Sequence, residues 1–317
     1  MGDVVGYDSA ADTRPAYTFT VFTPTLDRAH TLQRVHHSLV AQTFRDFEWI
    51  IVDDGSSDGT DALVRAWQAT ADFPIRYLFQ EHRGKHVATN RAVAAARGEL
   101  FLTIDSDDSF VPHALERFKY HWDAIPVVDR ARFSAVTALS ADEHGRLIGT
   151  RFPRDPTDSN SLEILFRYKV RGEKWGFQRT DVMRAHPFPE IEDSIPEGIV
   201  WRAIARRYKT RYVNEVLRVY WQDQPTRLSR PTQRRAGLEG AMLAYESELR
   251  DDIRWFTCAP TAFMAEAARY SRISFQAGRS VRQQFRALAA WPARLLWLVA
   301  LPIGWAVFVA QAHGLRR

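Results

Sequence analysis

Two acidic clusters in this 317-residue chain each follow directly on an apolar run. Asp53-Asp54-Gly55-Ser56 follows 47–52 (FEWIIV), and Asp105-Ser106-Asp107-Asp108 follows 100–104 (LFLTI). Acids alone would be unremarkable, because Asp-Gly and Asp-Ser pairs are common turn formers. Their position is the informative fact: in an open α/β sheet, ligands bind at the carboxyl ends of the strands. A third such end carries the small polar segment Thr23-Pro24-Thr25. Asp105 and Asp107 stand two apart with Asp108 adjacent, and carboxylates so gathered repel one another unless a cation or donors compensate. Oxygen ligands suit a hard cation, Mn²⁺ or Mg²⁺, which takes one or two carboxylates together with substrate phosphates. A cation there would act as a Lewis acid on a departing diphosphate. Taken alone, the same segment also fits a solvated turn ahead of a helix starting at Pro112.

The elements that must position these ends alternate. Residues 17–22 (YTFTVF) are aromatic and β-branched, and 31–42 have helical spacing through Leu32, Val35, Leu39 and Val40. A helix is expected at 60–67 with Thr60 or Asp58 as its cap, a strand at 75–79, an alanine-rich helix at 85–96, and a helix at 112–121 with Pro112 in its first turn. The order βαβαβαβα predicts an α/β fold with a mainly parallel sheet and right-handed crossovers. Beyond Trp122 the pattern loosens. Short strands are expected at 133–139 and 147–150, a charged, proline-bearing loop at 151–160, a strand at 176–179, a helix at 198–208, and a strand pair at 211–213 and 216–221. The organisation read from this is a lead-in over 1–16, an α/β domain over 17–230 with halves 17–122 and 123–230, and a helical region over 231–317.

Composition narrows the class. Apolar content of 45% with 26% charged residues is that of a folded chain. The single cysteine, Cys258, forms no internal disulfide, which points to a reducing compartment, and it reads as a small apolar residue. The N-terminus has no apolar stretch of the signal-peptide kind, so the expected location is the cytoplasm. Net charge is only +5, but no Asp or Glu follows Glu266, while eight arginines do. One-sided charge of this kind suits a polyanionic neighbour, nucleic acid or an anionic membrane surface. The uncharged run 295–315, with LLWLVALPIGWAVFVA inside it, favours a membrane surface over nucleic acid. Trp297 and Trp305 suit an interface and the flanking arginines a cytoplasmic face. Pro302 and Gly304 leave open a span, a kinked or surface-lying helix, or a buried core helix.

No GxxxxGK[ST] loop, no GxGxxG turn and no GxSxG elbow is present, which argues against P-loop, dinucleotide-dehydrogenase and α/β-hydrolase chemistry. The ordered set is instead Val21-Phe22-Thr23-Pro24-Thr25, then Ala41-Gln42-Thr43-Phe44 with 47–60 (FEWIIVDDGSSDGT), then Gly84-Lys85-His86-Val87-Ala88-Thr89-Asn90, then Asp105-Ser106-Asp107-Asp108. This set resembles the family 2 glycosyltransferases of GT-A fold over roughly residues 17–120, with a looser match beyond. The resemblance implies that Thr23, Pro24 and Thr25 line the nucleotide pocket, and that Asp54, with Asp53 beside it, binds base and ribose. It implies that Lys85 approaches the nucleotide, that Asp105 faces ribose or metal, and that Asp107 is the principal metal ligand.

The resemblance also implies a general base at a helix start in the second half. Glu197, beside the expected helix, is preferred over Asp193 of Glu192-Asp193. The positive end of a helix keeps a carboxylate ionised there, as a base requires. Trp175 is expected to stack on a sugar, and Arg227 and Arg230 to clamp diphosphate from a loop. The activity so implied is an inverting single displacement: a nucleotide-sugar donor, UDP- or another NDP-sugar, gives its sugar to a hydroxyl of an acceptor sugar, lipid or glycan. Two other classes stay open at this point. A sugar nucleotidyltransferase would need a glycine- and arginine-rich first loop, which 23–30 lacks, and a non-catalytic nucleotide-binding module would need no base.

Overall fold

The computed structural model describes residues 15–192, 195–222 and 237–313. Its first half follows the predicted alternation: β1 (Tyr17–Thr25), α1 (Ala29–Val40), β2 (Phe47–Asp53), α2 (Thr60–Thr70), β3 (Ile75–Phe79), α3 (Lys85–Ala95) and β4 (Gly98–Thr103). β3, β2, β1 and β4 pair in that order, all parallel. Parallel strands are covered on both faces, so they read as continuous apolar runs, and every residue of β2 is buried. Even Glu48 is enclosed there, held by Thr20, Arg76 and the Arg97 amide.

The second half adds β5 (Ser109–Phe110), α4 (Ala114–Asp123), α5 (Val127–Arg130), β6 (Phe133–Asp142), β7 (Thr157–Ser159), α6 (Ser161–Phe166), β8 (Lys174–Arg179), α7 (Thr180–Ala185), α8 (Gly198–Ala205) and β9 (Lys209–Tyr220). β8 joins β4 antiparallel and extends the sheet through β6 and β9 to β5. Several expectations are corrected here. The strand pair at 211–213 and 216–221 is one strand, β9, whose register against β6 shifts rather than breaks. Asn214 marks the irregularity, and its side chain bonds the backbone at Phe152 and Arg154 instead of turning the chain. Residues 147–150 form no strand; only Leu147 bridges to Ala141. The loop 151–160 contains β7, which pairs with β9.

Two apolar layers flank the sheet. Leu32, Val35 and Leu39 of α1 with Phe118 and Trp122 of α4 cover one face. Ala88, Ala92 and Val93 of α3, Val182 and Met183 of α7, and Val200 and Ile204 of α8 cover the other. Both carboxyl-end turns and the first turns of α3 and α8 are thereby fixed to a rigid sheet.

The chain continues as α9 (Leu238–Asp251), a 3₁₀ turn (Ile253–Trp255), α10 (Pro260–Gln276), α11 (Val281–Ala287) and α12 (Trp291–Ala312). Leu249, Phe263, Tyr270 and Trp297 of these elements share a cluster with Leu162 and Phe166 of α6 and Ala205 of α8. Buried Asp252 pairs with Arg202 of α8 and with Arg206 just past its end, so α8 is gripped from this side as well. Cys258 is exposed rather than packed inside.

Candidate active site

The β4 carboxyl end, the first turns of α3 and α8, and the far part of β9 converge on one group of ions. Lys85, the first residue of α3, places Nζ 2.6 Å from Asp105 Oδ1 and 2.8 Å from Glu197 Oε1. Glu197 is the N-cap residue of α8, and its other oxygen accepts from Trp201 Nε1 at 3.3 Å. Arg218, almost fully buried on β9, donates to Asp105 Oδ2 at 3.1 Å and to Asp108. Asp108 also accepts from the Trp221 amide, and the Trp221 ring lies under Arg34, whose Nη1 donates to the Asp107 carbonyl at 3.0 Å.

The charges settle into defined states. Burial alone would raise the Asp105 carboxyl, but Lys85 and then Arg218 outweigh it and hold it down at about 2. Burial alone would lower the Lys85 ammonium, but Asp105 and then Glu197 hold it well above its ordinary value. For Asp108, burial is the larger effect and pushes the carboxyl up to about 6 against the pull of Arg218.

Asp54 sits one step away. Its Oδ1 accepts from Gln80 Nε2 at 2.7 Å and the Arg83 amide at 2.8 Å, and its Oδ2 from the Gly84 amide at 2.9 Å and His82 Nδ1 at 2.8 Å. Gly84 has φ +93°, a conformation that only glycine adopts without strain. Asp54 therefore folds the turn that delivers Lys85. Asp53 accepts from the Ser56 amide and from Tyr77 Oη, closing its own turn.

Lys85, Asp105 and Glu197 thus meet, with Asp54 behind them. The Asp107 carboxylate is half-buried and has no hydrogen bond or ion pair among the described residues. Pro24 is half-buried at the β1 end, and buried Thr25 Oγ1 has no hydrogen-bond partner among the described residues. Two expectations are corrected. Thr23 is fully buried and its hydroxyl accepts from Trp49 Nε1 inside the core, so its side chain does not line a pocket. Trp175 is no sugar platform: it lies buried in β8 against Phe110 and Phe118, and its Nε1 donates to the Thr103 carbonyl. Its position follows from β8 being an inner strand, where a large aromatic fills the core. Asp193, Arg227 and Arg230 lie outside the described residues. Arg218 escaped the sequence reading, although a charge inside Val216-Leu217-Arg218-Val219 is a signal, because a buried charge needs a partner.

Among the described residues, no three His, Cys, Asp or Glu side chains gather to hold a cation unaided. A magnesium- or manganese-type site needs only one or two carboxylates from the protein and completes its shell with phosphate and water. Asp107 has the free oxygens for that role, whereas those of Asp105 are taken by Lys85 and Arg218.

A parallel half-sheet with carboxylates at its tips, joined to a mixed half in which β8 runs antiparallel to both neighbours while β6 and β9 pair parallel, and followed by a helix-start acid, is a GT-A type nucleotide-diphospho-sugar transferase fold. The solved structures agree on the fold: S. aureus TarS 1–349 superposes with a TM-score of 0.62 at 17% identity, covering 94% of this chain and 92% of that one. Its complex with UDP-GlcNAc gives 0.60 at 18% identity, covering 92% and 81%. The sequence model of Glycosyl transferase family 2 matches residues 20–179, and the chain belongs to that family. Among curated relatives, uncharacterized glycosyltransferase YibD of Escherichia coli is 30% identical over 64% of this chain and 60% of its own length. Uncharacterized glycosyltransferase alr2836 of Nostoc is 40% identical over 28% of each chain, and putative glycosyltransferase EpsH of Bacillus subtilis is 29% identical over 47% and 43%. The chain therefore spans about a quarter to three fifths of these relatives' lengths.

Proposed function

We propose that this glycosyltransferase transfers a sugar from a nucleotide-sugar donor to a hydroxyl of an acceptor sugar, lipid or glycan, in the cytoplasm, with inversion and with a bound Mn²⁺ or Mg²⁺. The observation that carries the reading is the Lys85 ammonium set between Asp105 and Glu197. It brings the strand end expected to face the diphosphate within one side chain of the acid expected to take the acceptor proton.

Asp107 would hold the metal, with Asp105 two residues before it as a second ligand once Lys85 moves away, and the metal when bound would supply positive charge to the leaving diphosphate. Lys85 has the charge to follow the diphosphate as it arrives. Its departure would release Glu197, whose carboxylate at the helix start then accepts the hydroxyl proton. Asp193 is the second candidate for that base. The nucleotide base would enter beside Asp54, where the exposed His82 is the partner most readily displaced. Attack from the face opposite the departing diphosphate inverts the anomeric configuration. TarS is solved with UDP-GlcNAc, so UDP-sugars are the first donors to try.

The test incubates the full chain with a panel of nucleotide sugars, Mn²⁺ and acceptors, and follows released nucleoside diphosphate and the anomeric proton of the product by NMR. Diphosphate release with an inverted product is expected. A retained anomer would remove the single-displacement scheme, and formation of nucleoside triphosphate and sugar 1-phosphate when pyrophosphate is added would indicate nucleotidyl transfer instead.

A further inference from the structure

Helix α12 is apolar around its whole circumference, yet only one side of it is covered. Ala293, Leu296, Trp297, Ala300 and Gly304 are buried against the protein. Trp291, Leu295, Leu298, Val299, Ile303 and Trp305 are about half to two-thirds exposed. With 3.6 residues per turn these two sets fall on opposite sides of the helix. The exposed side runs about 20 Å from Trp291 to Trp305 at 1.5 Å per residue. A continuous apolar face of this size marks an interaction surface.

The surrounding charge selects the partner. No Asp or Glu occurs from Ala267 to Arg317, while eight arginines do. Helix α11 lies against α12: Val281, Pro302 and Trp305 line one apolar groove, and Phe285 contacts Trp291. On α11, Arg282 and Arg286 are exposed. Arg294 stacks on Phe285 and Trp291 at the start of α12. An apolar face edged by arginines and carrying two exposed tryptophans is what a bilayer interface with anionic headgroups accommodates.

The other side of α12 decides its orientation. Gly304 packs so tightly on α10 that an added Cβ would stand 2.5 Å from the Ala268 carbonyl. At the boundary between the two sides half-exposed Trp305 touches Phe275, as does Phe308, and Gln311 bonds Arg272 and Gln276. Crossing the bilayer would strip α12 from this partner or draw Arg269 and Arg272 of α10 into hydrocarbon, where charge is costly.

We propose that α12 docks the enzyme on an anionic lipid bilayer, lying in the plane of the interface with its uncovered face immersed and the α11 arginines at the headgroups. This goes beyond the catalytic reading and does not depend on it.

The experiment is flotation of the full chain with vesicles of phosphatidylcholine alone and of phosphatidylcholine with phosphatidylglycerol. The chain should float with the anionic vesicles, less so as salt rises. R282A/R286A should weaken binding to anionic vesicles roughly thirtyfold, from about 1 kcal/mol per arginine near an anionic surface. V299E/I303E replaces exposed residues only; it should stay in the soluble fraction with an unchanged melting temperature. Alkaline carbonate should strip the wild type from the vesicles. Equal flotation with both vesicle types, or resistance to carbonate, overturns the proposal. So does a dimer in buffer that V299E/I303E splits, since the face would then belong to a second copy.

Discussion

The ammonium of Lys85 lies 2.8 Å from a carboxylate oxygen of Glu197, tying the first turn of α3 to the first turn of α8 across the head of the sheet. Both side chains are partly exposed, so the pair adds little to stability. Its consequence is chemical: a carboxylate neutralised by an ammonium is a poor proton acceptor, so in the proposed mechanism the cation must move before Glu197 takes the acceptor proton.

Lys85→Met removes that cation. If Lys85 follows the diphosphate, donor affinity should fall about 10- to 100-fold, the range for losing a charge-assisted hydrogen bond. Isothermal titration with the donor measures it, and the melting temperature reports whether the fold is kept. Undiminished donor affinity would leave Lys85 only a structural tie.

Glu197→Gln keeps the shape and the hydrogen-bonding reach to Lys85 and Trp201 but cannot take a proton. Turnover should fall by about 10²- to 10⁴-fold, the usual worth of a general base, with the donor dissociation constant nearly unchanged. Full turnover would transfer the role to Asp193.

Asp107→Asn tests the metal without touching the fold. Because the Asp107 carboxylate meets no protein partner among the described residues, the melting temperature without ligand should not move. The rise in melting temperature that nucleoside diphosphate gives in the presence of Mn²⁺ should shrink, since a ligand stabilises in proportion to its affinity for the native state. An undiminished rise would take the metal away from Asp107.

Arg218→Met leaves Asp105 with Lys85 alone and strands buried Asp108 beside an apolar side chain. Breaking a buried pair by removing one partner costs about 3–5 kcal/mol, so urea unfolding at neutral pH should show a loss of that order. Raising the pH above the Asp108 value of about 6 should enlarge the loss, because the stranded carboxyl is then forced to ionise. A loss that stays the same from pH 5 to 8 would mean that the arginine serves through its alkyl chain.

The parallel half of the fold was legible because each buried strand is a continuous apolar run ending in turn-forming acids, as with 47–52 before Asp53-Asp54. The second half was less so. The Asn214-Glu215 step looks like a turn in sequence, but side-chain bonds from Asn214 carry β9 through it. Of the site, Asp105 and Glu197 could be named from motif and helix start. Their meeting through Lys85 depends on tertiary placement that no local spacing encodes. Trp175 was misplaced because Gly172-Glu173-Lys174 before it suggested a loop, whereas β8 runs from Lys174 between β4 and β6.

Strand β9 carries a pH-dependent fastening. Glu215 on β9 takes two hydrogen bonds from Arg117 of α4, at 2.8 and 2.7 Å, and lies 2.6 Å from His121 Nε2. The Arg117 bonds are the main cause, His121 adds to them, burial opposes both, and the carboxyl is held down at about 2. Its folded value lies below the unfolded one of about 4.3. The contribution is therefore complete above the unfolded value and is lost as pH falls from there through about 2. Glu215→Gln should lower stability at pH 7 by roughly 1–2 kcal/mol, after allowance for partial exposure of the pair. The gap between variant and wild type should close as unfolding is followed from pH 5 down to pH 2.5. A gap that persists unchanged at the acid end would mean that shape, not charge, fastens α4 to β9.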